Sequence, residues 1–295
     1  MSVLTEYRKS LKRIEVEEPP DVYFFRPLAF LLVKGIYRTN ITPNQLTLVS
    51  MFVGILSGIS FGIGRPAAVA WGAGLFGFSI VLDCADGQLA RLKKNGTRLG
   101  RILDGMVDYI VSVAVYLGIG IGLSPASNHS SLWWILLAAT GMSHVFHSVS
   151  VDHFRSRFLG RLEGAAASAD EDDARTFKAE LDALNTRKGR FLRKAAIGLY
   201  LRYLHIQKRI ASRAEGDGRG KQAGSSACAA RNKAVMRGWT LLGPSMGGSL
   251  LIICAVAGRV DLYFWGRIVV MNLWAAAMYV VQFRIDHGRV EETAV

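Results

Sequence analysis

Cysteine is scarce in this chain: three among 295 residues, Cys84, Cys228 and Cys254, far apart and odd in number. No CxxC pair and no Cys/His zinc spacing occurs, which excludes a disulfide framework and a zinc site, and all three are expected to be free thiols. Acidic residues are also few, 23 Asp plus Glu against 36 Lys plus Arg, for a formal net charge of +13. The stretch Met1–Arg13 is polar and charged. It has no apolar core followed by a small-residue cleavage site, so no secretory signal is expected. Basic residues interleaved with aromatics occur, but no nucleic-acid motif does, and no nucleic-acid partner is expected.

What is present is apolar. Hydrophobic residues make up 51% of the chain, and the positive charge is concentrated elsewhere. Between Phe154 and Gly238 there are 19 Lys plus Arg against 9 Asp plus Glu, a surplus of 10. A membrane-spanning helix needs about 20 apolar residues. Six stretches qualify: Asn44–Ile63, Ala67–Leu89, Leu103–Leu123, Leu132–Val151, Trp239–Ala257 and Leu262–Phe283. The expected fold is therefore all-α and polytopic.

Charge orients the spans. The N-terminus, the Arg91–Arg101 loop and the Phe154–Gly238 stretch are basic and the tail after Phe283 carries Arg284 and Arg289, whereas the turns on the other side hold only Arg65 and Arg259. By the positive-inside rule both termini and the Arg91–Arg101 loop face the cytoplasm. Before the first span, Asp21–Arg38 is apolar but too short and too interrupted by charge to cross. An interfacial helix is expected there, capped by Asp21, with Arg26, Lys34 and Arg38 at the headgroups and Tyr23, Phe24, Leu28, Leu31 and Leu32 inserted.

Five regions follow: residues 1–43, a cytoplasmic N-terminus with the interfacial helix; 44–153, spans one to four; 154–238, a basic cytoplasmic insertion; 239–284, spans five and six; and 285–295, a cytoplasmic tail. Within the insertion, Ser168–Asn185 starts with acids and reads as a helix. Arg187–Arg213 is basic and amphipathic, with Leu192, Leu199, Tyr203, Ile206 and Ile210 at helical spacing. That face suits an anionic membrane surface or subunit packing. Ala214–Ala227 is rich in Gly and Ser and reads as a linker.

Four carboxylates fall in or beside the second and third spans: Asp83, Asp86, Asp104 and Asp108. On helices, spacings of three and four residues put each pair on one face. An ionised Asp near the bilayer centre costs roughly 2.5–3.5 kcal/mol on insertion scales, less toward the interface. Four such groups in one window mark the candidate active site.

The full pattern reads Asp83-x2-Asp86-Gly87-x2-Ala90-Arg91-x8-Gly100-x3-Asp104-x3-Asp108. It resembles, at every position and spacing, the signature of the CDP-alcohol phosphotransferase (CDP-alcohol phosphatidyltransferase) family. The Ile41–Thr47 segment (ITPNQLT) resembles that family's usual lead into its first span. The resemblance covers roughly Thr42–Val151 and, more loosely, Trp239–Phe283. It implies an integral membrane enzyme of phospholipid biosynthesis. Such an enzyme transfers a phospho-alcohol group from a CDP-linked donor to a hydroxyl acceptor and releases CMP. It further implies that Asp83, Asp86 and Asp104 ligate metal, with Asp108 completing the set, and that Asp108 is the general base; Asp108 could equally be a metal ligand only, and the two roles are not exclusive.

The residue chemistry agrees. A diphosphate donor carries negative charge that must be neutralised before a hydroxyl can attack phosphorus. Carboxylates from two helices offer the all-oxygen set that suits Mg²⁺ or Mn²⁺ and can hold two ions. Gly87, which costs a helix about 1 kcal/mol relative to Ala, leaves room for a nucleotide against the backbone. Ala90 keeps the same face shallow, and Arg91 can pair with a phosphate or an Asp, or serve as a positive-inside anchor. Gly100, grouped with these as donor-binding, is expected to permit the turn into the third span. A site opening at the membrane interface favours CDP-diacylglycerol as donor.

The end of the fourth span offers acceptor candidates. His144 and His147 share a face and could line a pocket, or bond between helices. Arg155 and Arg157 could bind the phosphate of an acceptor such as glycerol 3-phosphate or an inositol phosphate, or snorkel as anchors. Membrane lipids are the surrounding partners, and the glycine-rich last two spans allow a homodimer. Two rival functions are weaker. An intramembrane prenyltransferase would carry two Asp motifs far apart in the chain. A cation transporter would show an inverted repeat or a matching second acidic pair.

Overall fold

The computed structural model describes residues 3–11, 13–124, 130–163, 198 and 226–292. Every long element among them is a helix and no strand occurs. In chain order they are α1 (Val3–Ser10), α2 (Arg26–Ile36, entered through a wide π turn at Asp21–Phe25), α3 (Pro43–Gly62), α4 (Pro66–Lys93), α5 (Arg98–Leu123), α6 (Ser130–Glu163), α7 (Ser226–Thr240), α8 (Pro244–Val256), α9 (Val260–Trp265) and, after a π turn at Gly266–Met271, α10 (Asn272–Glu292). Six stretches are long and apolar enough to cross a membrane: Pro43–Gly62, Pro66–Lys93, Leu103–Leu123, Ser131–Gly160, Asn232–Val256 and Val260–Asp286. Large apolar side chains such as Phe52, Ile59, Trp71, Met142 and Leu273 stand exposed along them. That is where an integral membrane protein meets lipid rather than water.

Helix ends differ from the hydropathy boundaries, because apolarity ends before backbone hydrogen bonding does. The second span runs on to Lys93, where Lys94 adopts a left-handed conformation (φ 54°) and donates its N–H to the Ala90 carbonyl. The expected Arg91–Arg101 loop is thus only four residues, 94–97. Thr97 then caps α5, its Oγ1 accepting from the Gly100 N–H at 2.9 Å. Gly100 is therefore inside the first turn of α5 and not in the connecting turn. The fifth apolar stretch is broken at 241–243, where Gly243 precedes Pro244; Pro fits the first turn of a helix because it has no N–H to offer. The helices expected at Ser168–Asn185 and Arg187–Arg213, and most of the Ala214–Ala227 linker, lie outside the described residues; Ser226 and Ala227 begin α7.

The chain divides into two compact units, Met1–His147 with Thr240–Trp274, and Ser148–Trp239 with Ala275–Val295. In the first, α3 packs along both α4 and α5. Small residues allow the approach: a side chain on Gly118 would run into the carbonyl of Gly58, and one on Gly58 into that of Ala114. Ser57 Oγ donates to the Gly72 carbonyl at 2.7 Å and Ser79 Oγ to the Ser50 carbonyl at 2.8 Å, tying α3 to α4. Such close backbone packing is the usual substitute for hydrophobic drive between helices in lipid.

The π turn and α2 pack Phe25, Ala29 and Val33 toward α4, while Tyr23 is 82% and Leu31 68% exposed. Arg26 departs from the expected headgroup position. It is buried, and its Nη2 pairs with Glu17 Oε2 at 2.8 Å. Burial works against its charge, but Glu17, Cys84 and Asp21 together more than offset this and its pKa is raised. Asp21 is also buried, in the π turn, and no side chain caps that start.

The second unit is organised around Phe154, which stacks on Trp239 (centroids 4.1 Å apart) and meets Tyr279 edge-on. Tyr279 and Ser150 share a hydrogen bond of 2.8 Å, and Arg157 pairs with Asp286 at 2.8 Å.

Candidate active site

Asp83 and Asp86 lie on α4 and Asp104 on α5, and the packing of α3 against both helices carries the two polar ends together. One carboxylate oxygen from each of the three falls within 4.8 Å of the others. Asp86 is 5% exposed. Asp108, one turn along α5 from Asp104, is outside this group and exposed.

The cluster is held from α3. A capping box begins that helix: Thr42 Oγ1 accepts from the Gln45 N–H, and Gln45 Oε1 accepts from the Thr42 N–H at 2.9 Å. One turn on, Thr47 Oγ1 reaches Asp86 Oδ2 at 2.5 Å. Lys93 Nζ closes the same end, donating to the carbonyls of Thr39 and Ile41 at 2.9 Å each. A side chain on Gly100 would come within 2.9 Å of Asn44 Oδ1, so this glycine serves the close approach of α5 to the start of α3.

Three carboxylates gathered in a low-dielectric setting repel one another unless a cation joins them. Asp83 Oδ1 is buried and has no hydrogen-bond partner among the described residues. A buried acceptor of this kind, in an all-oxygen donor set from two helices, fits a hard divalent cation such as Mg²⁺ or Mn²⁺.

A profile of the CDP-alcohol phosphatidyltransferase family matches residues 40–158, the stretch holding α3 to α5, most of α6 and all four aspartates. Residues 40–158 are a match to the CDP-alcohol phosphatidyltransferase domain. Members of this family are transferases of phosphate-containing groups and depend in general on divalent metal. The chain is 34% identical over 97 residues to a phosphatidylinositol phosphate synthase of Corynebacterium glutamicum, an alignment covering 33% of this chain and 42% of that protein. It is 32% identical over 102 residues to a putative cardiolipin synthase of Mycobacterium bovis, covering 34% and 44%. A bifunctional IPC transferase and DIPP synthase of Thermococcus kodakarensis is 28% identical over 154 residues, covering 51% and 34%. In each case the chain spans less than half of the relative's length.

Around the phosphatidyltransferase domain's aspartates, Gly87, Ala90 and Arg91 follow Asp86 on the last turns of α4. The three atoms nearest a Cβ on Gly87 would all belong to the Arg91 guanidinium, with Nη1 at 3.4 Å. The acceptor candidates are placed differently. His144 Nδ1 accepts from Arg267 Nη2 at 2.8 Å, so the imidazole is neutral with its proton on Nε2. His147 Nε2 donates to Asn272 Oδ1 at 2.9 Å, and Asn272 Nδ2 donates onward to Ser143 Oγ at 2.9 Å. Both histidines thus make hydrogen bonds between helices. Arg155 is 3.2 Å from Asp152, and Arg157 is paired with Asp286, so each already has a carboxylate partner. Free thiols are found at Cys84 and Cys254, both buried; the Cys228 side chain lies outside the described residues.

Two residues of consequence were not singled out by the sequence. Thr47 belongs to the ITPNQLT segment, but nothing in that segment shows that its hydroxyl reaches Asp86. Arg267, 0% exposed within the last apolar stretch, is legible only as a lone charge in an apolar run. The room for its guanidinium comes from Gly247, where a side chain would collide with Nη1.

Proposed function

We propose that this protein is an integral membrane phosphotransferase that moves a phospho-alcohol group from a CDP-alcohol to a hydroxyl acceptor. CDP-diacylglycerol is the donor that fits, since the aspartates lie at the polar ends of apolar helices where a lipid headgroup resides. The observation carrying this reading is the convergence of the Asp83, Asp86 and Asp104 carboxylates within 4.8 Å inside the matched domain.

In this reading Asp83, Asp86 and Asp104 hold one or two Mg²⁺ or Mn²⁺ ions, with Asp108 able to complete the set. The metal supplies neutralising charge for the donor's diphosphate. Arg91 adds a fixed positive charge beside it, and Gly87 and Ala90 leave the face of α4 shallow enough for a nucleotide. Asp108, exposed and one turn from Asp104, takes the acceptor's hydroxyl proton. The freed oxygen attacks the phosphorus that carries the alcohol. A new P–O bond forms, the P–O bond to the bridging oxygen breaks, and CMP leaves with that electron pair. Thr47 orients Asp86 throughout. The excess of Lys and Arg in the Arg91–Arg101 segment and in Met1–Arg13 supports a site facing the cytoplasm, where CDP-linked donors are made available.

The test is product identification. The purified protein is incubated with Mg²⁺ and acyl-labelled CDP-diacylglycerol against glycerol 3-phosphate, inositol, inositol phosphate and serine in turn. One new labelled phospholipid, whose mass names the acceptor, is expected. No new lipid with any of them, and none with other CDP-alcohols, contradicts the reading.

A further inference from the structure

Arg91 does not reach out from the end of α4. Its Nε donates to the backbone carbonyl of Ser10 at 2.6 Å. Its Nη1 and Nη2 lie 3.4 and 3.5 Å from where a Gly87 Cβ would be, so the guanidinium folds back along the helix over Gly87, beside Asp86. Neither Nη makes a hydrogen bond among the described residues. The fork is therefore held by one nitrogen and displayed by the other two, over Gly87, where this turn of α4 has no side chain.

The Ser10 carbonyl is itself fixed. Ser10 is wholly buried, and its Oγ donates to the Tyr7 carbonyl at 2.6 Å. Tyr7 sets its ring edge-on to Phe30 of α2, centroids 5.1 Å apart, and Glu6 pairs with Lys34 at 3.4 Å. Farther along, Glu17 is buried against Arg26 at 2.8 Å, and Glu18 Oε2 accepts the Met246 N–H in the first turn of α8 at 2.9 Å. Both ends of the segment are thus anchored to transmembrane or interfacial helices, with the Arg91 contact between them.

We propose that Val3–Glu18 is a positioning strap for donor binding: the Ser10 carbonyl holds Arg91 so that Nη1 and Nη2 face the diphosphate of the CDP-linked donor. The inference rests on the reading of this site as a CDP-donor site. The planar guanidinium holds its two terminal nitrogens in a fixed fork and the bond at Nε orients that fork, the geometry for bidentate recognition of phosphate, which a lysine cannot reproduce. Without the carbonyl the side chain regains its rotamers, and ordering it again opposes donor binding. The strap acts through Arg91, so it bears on donor affinity and not on the proton transfer at Asp108.

The test compares the full chain with a variant lacking residues 2–11, each in the natural and the Arg91→Lys background, with Tyr7→Ala as a milder disturbance. Mg²⁺-dependent CMP release from CDP-diacylglycerol micelles gives kcat and the KM for each substrate. Displacement of labelled CDP-diacylglycerol gives donor Kd where turnover is too slow, and thermal unfolding reports on folding. The deletion is expected to raise donor KM roughly tenfold, the scale of one charge-assisted hydrogen bond, with kcat and acceptor KM within about threefold. Tyr7→Ala should shift donor KM in the same direction by less, and it carries the test if the deletion does not fold. In the Arg91→Lys background the deletion should change donor affinity by less than about twofold. An equal effect in both backgrounds, or an unchanged donor KM in an active enzyme, overturns the strap alone. Absence of CMP release by the full chain with every CDP-alcohol overturns the parent reading and this one with it.

Discussion

The hydroxyl of Thr47, on α3, lies 2.5 Å from Oδ2 of Asp86, on α4. A residue in the second turn of one helix thus orients a carboxylate near the polar end of another. Partners of this kind behind a metal ligand fix which oxygen faces the ion, and removing one typically costs about 10–100-fold in metal affinity or activity. Thr47→Val keeps the volume and removes the donor. It is expected to raise the Mg²⁺ concentration needed for half-maximal CMP release by at least about tenfold, with thermal unfolding little changed. Thr47→Ser should retain most of the activity.

Asp108 is predicted to matter for turnover and not for donor binding. Asp108→Asn should lower kcat by about 10²–10⁴-fold, the usual contribution of a general base. Displacement of labelled CDP-diacylglycerol should give a donor Kd close to that of the natural protein. A matching loss of donor affinity would instead make Asp108 a metal ligand first.

His144 and Arg267 supply a stability prediction. The buried guanidinium donates Nη2 to His144 Nδ1, and replacing His144 by Leu leaves a buried charged donor without its acceptor. The cost is expected at about 2–3 kcal/mol, read as a lower unfolding temperature in detergent. Acceptor KM should be unchanged in whatever fraction folds. A higher acceptor KM at an unchanged unfolding temperature would return the histidines to an acceptor pocket.

Packing between α3 and α5 is predicted to be intolerant. A side chain on Gly118 collides with the Gly58 carbonyl, which is backbone and cannot rotate away. Gly118→Leu should destabilise by at least about 1–3 kcal/mol and separate α3 from α5. Gly105, whose Cβ would meet nothing within 4 Å, is the control: Gly105→Ala should fold normally.

These sites show where the sequence is informative. The apolar runs announce the spans because lipid demands about 20 apolar residues for each. The aspartates announce themselves because charge in such runs is costly. Helix ends are poorly marked for the opposite reason. The last turns of α4 are polar, so hydropathy stops at Leu89 while hydrogen bonding continues to Lys93. Arg26 reads as a headgroup anchor because its partner Glu17 lies on a segment with no periodicity to place it. Thr47 and Ser10 act through contacts 39 and 81 residues away in sequence, and no local pattern encodes a distant hydroxyl or a backbone carbonyl.

The central claim is metal-dependent transfer at the aspartate cluster, and one measurement bears on it most directly. CMP release from CDP-diacylglycerol is followed for the purified full-length protein with an acceptor panel, in Mg²⁺, after EDTA, and after Mg²⁺ or Mn²⁺ is restored, with Asp83→Asn alongside. The account predicts acceptor-dependent CMP release that EDTA abolishes, that either ion restores, and that Asp83→Asn lacks at every metal concentration. CMP release that survives EDTA, or that Asp83→Asn retains in full, would contradict it.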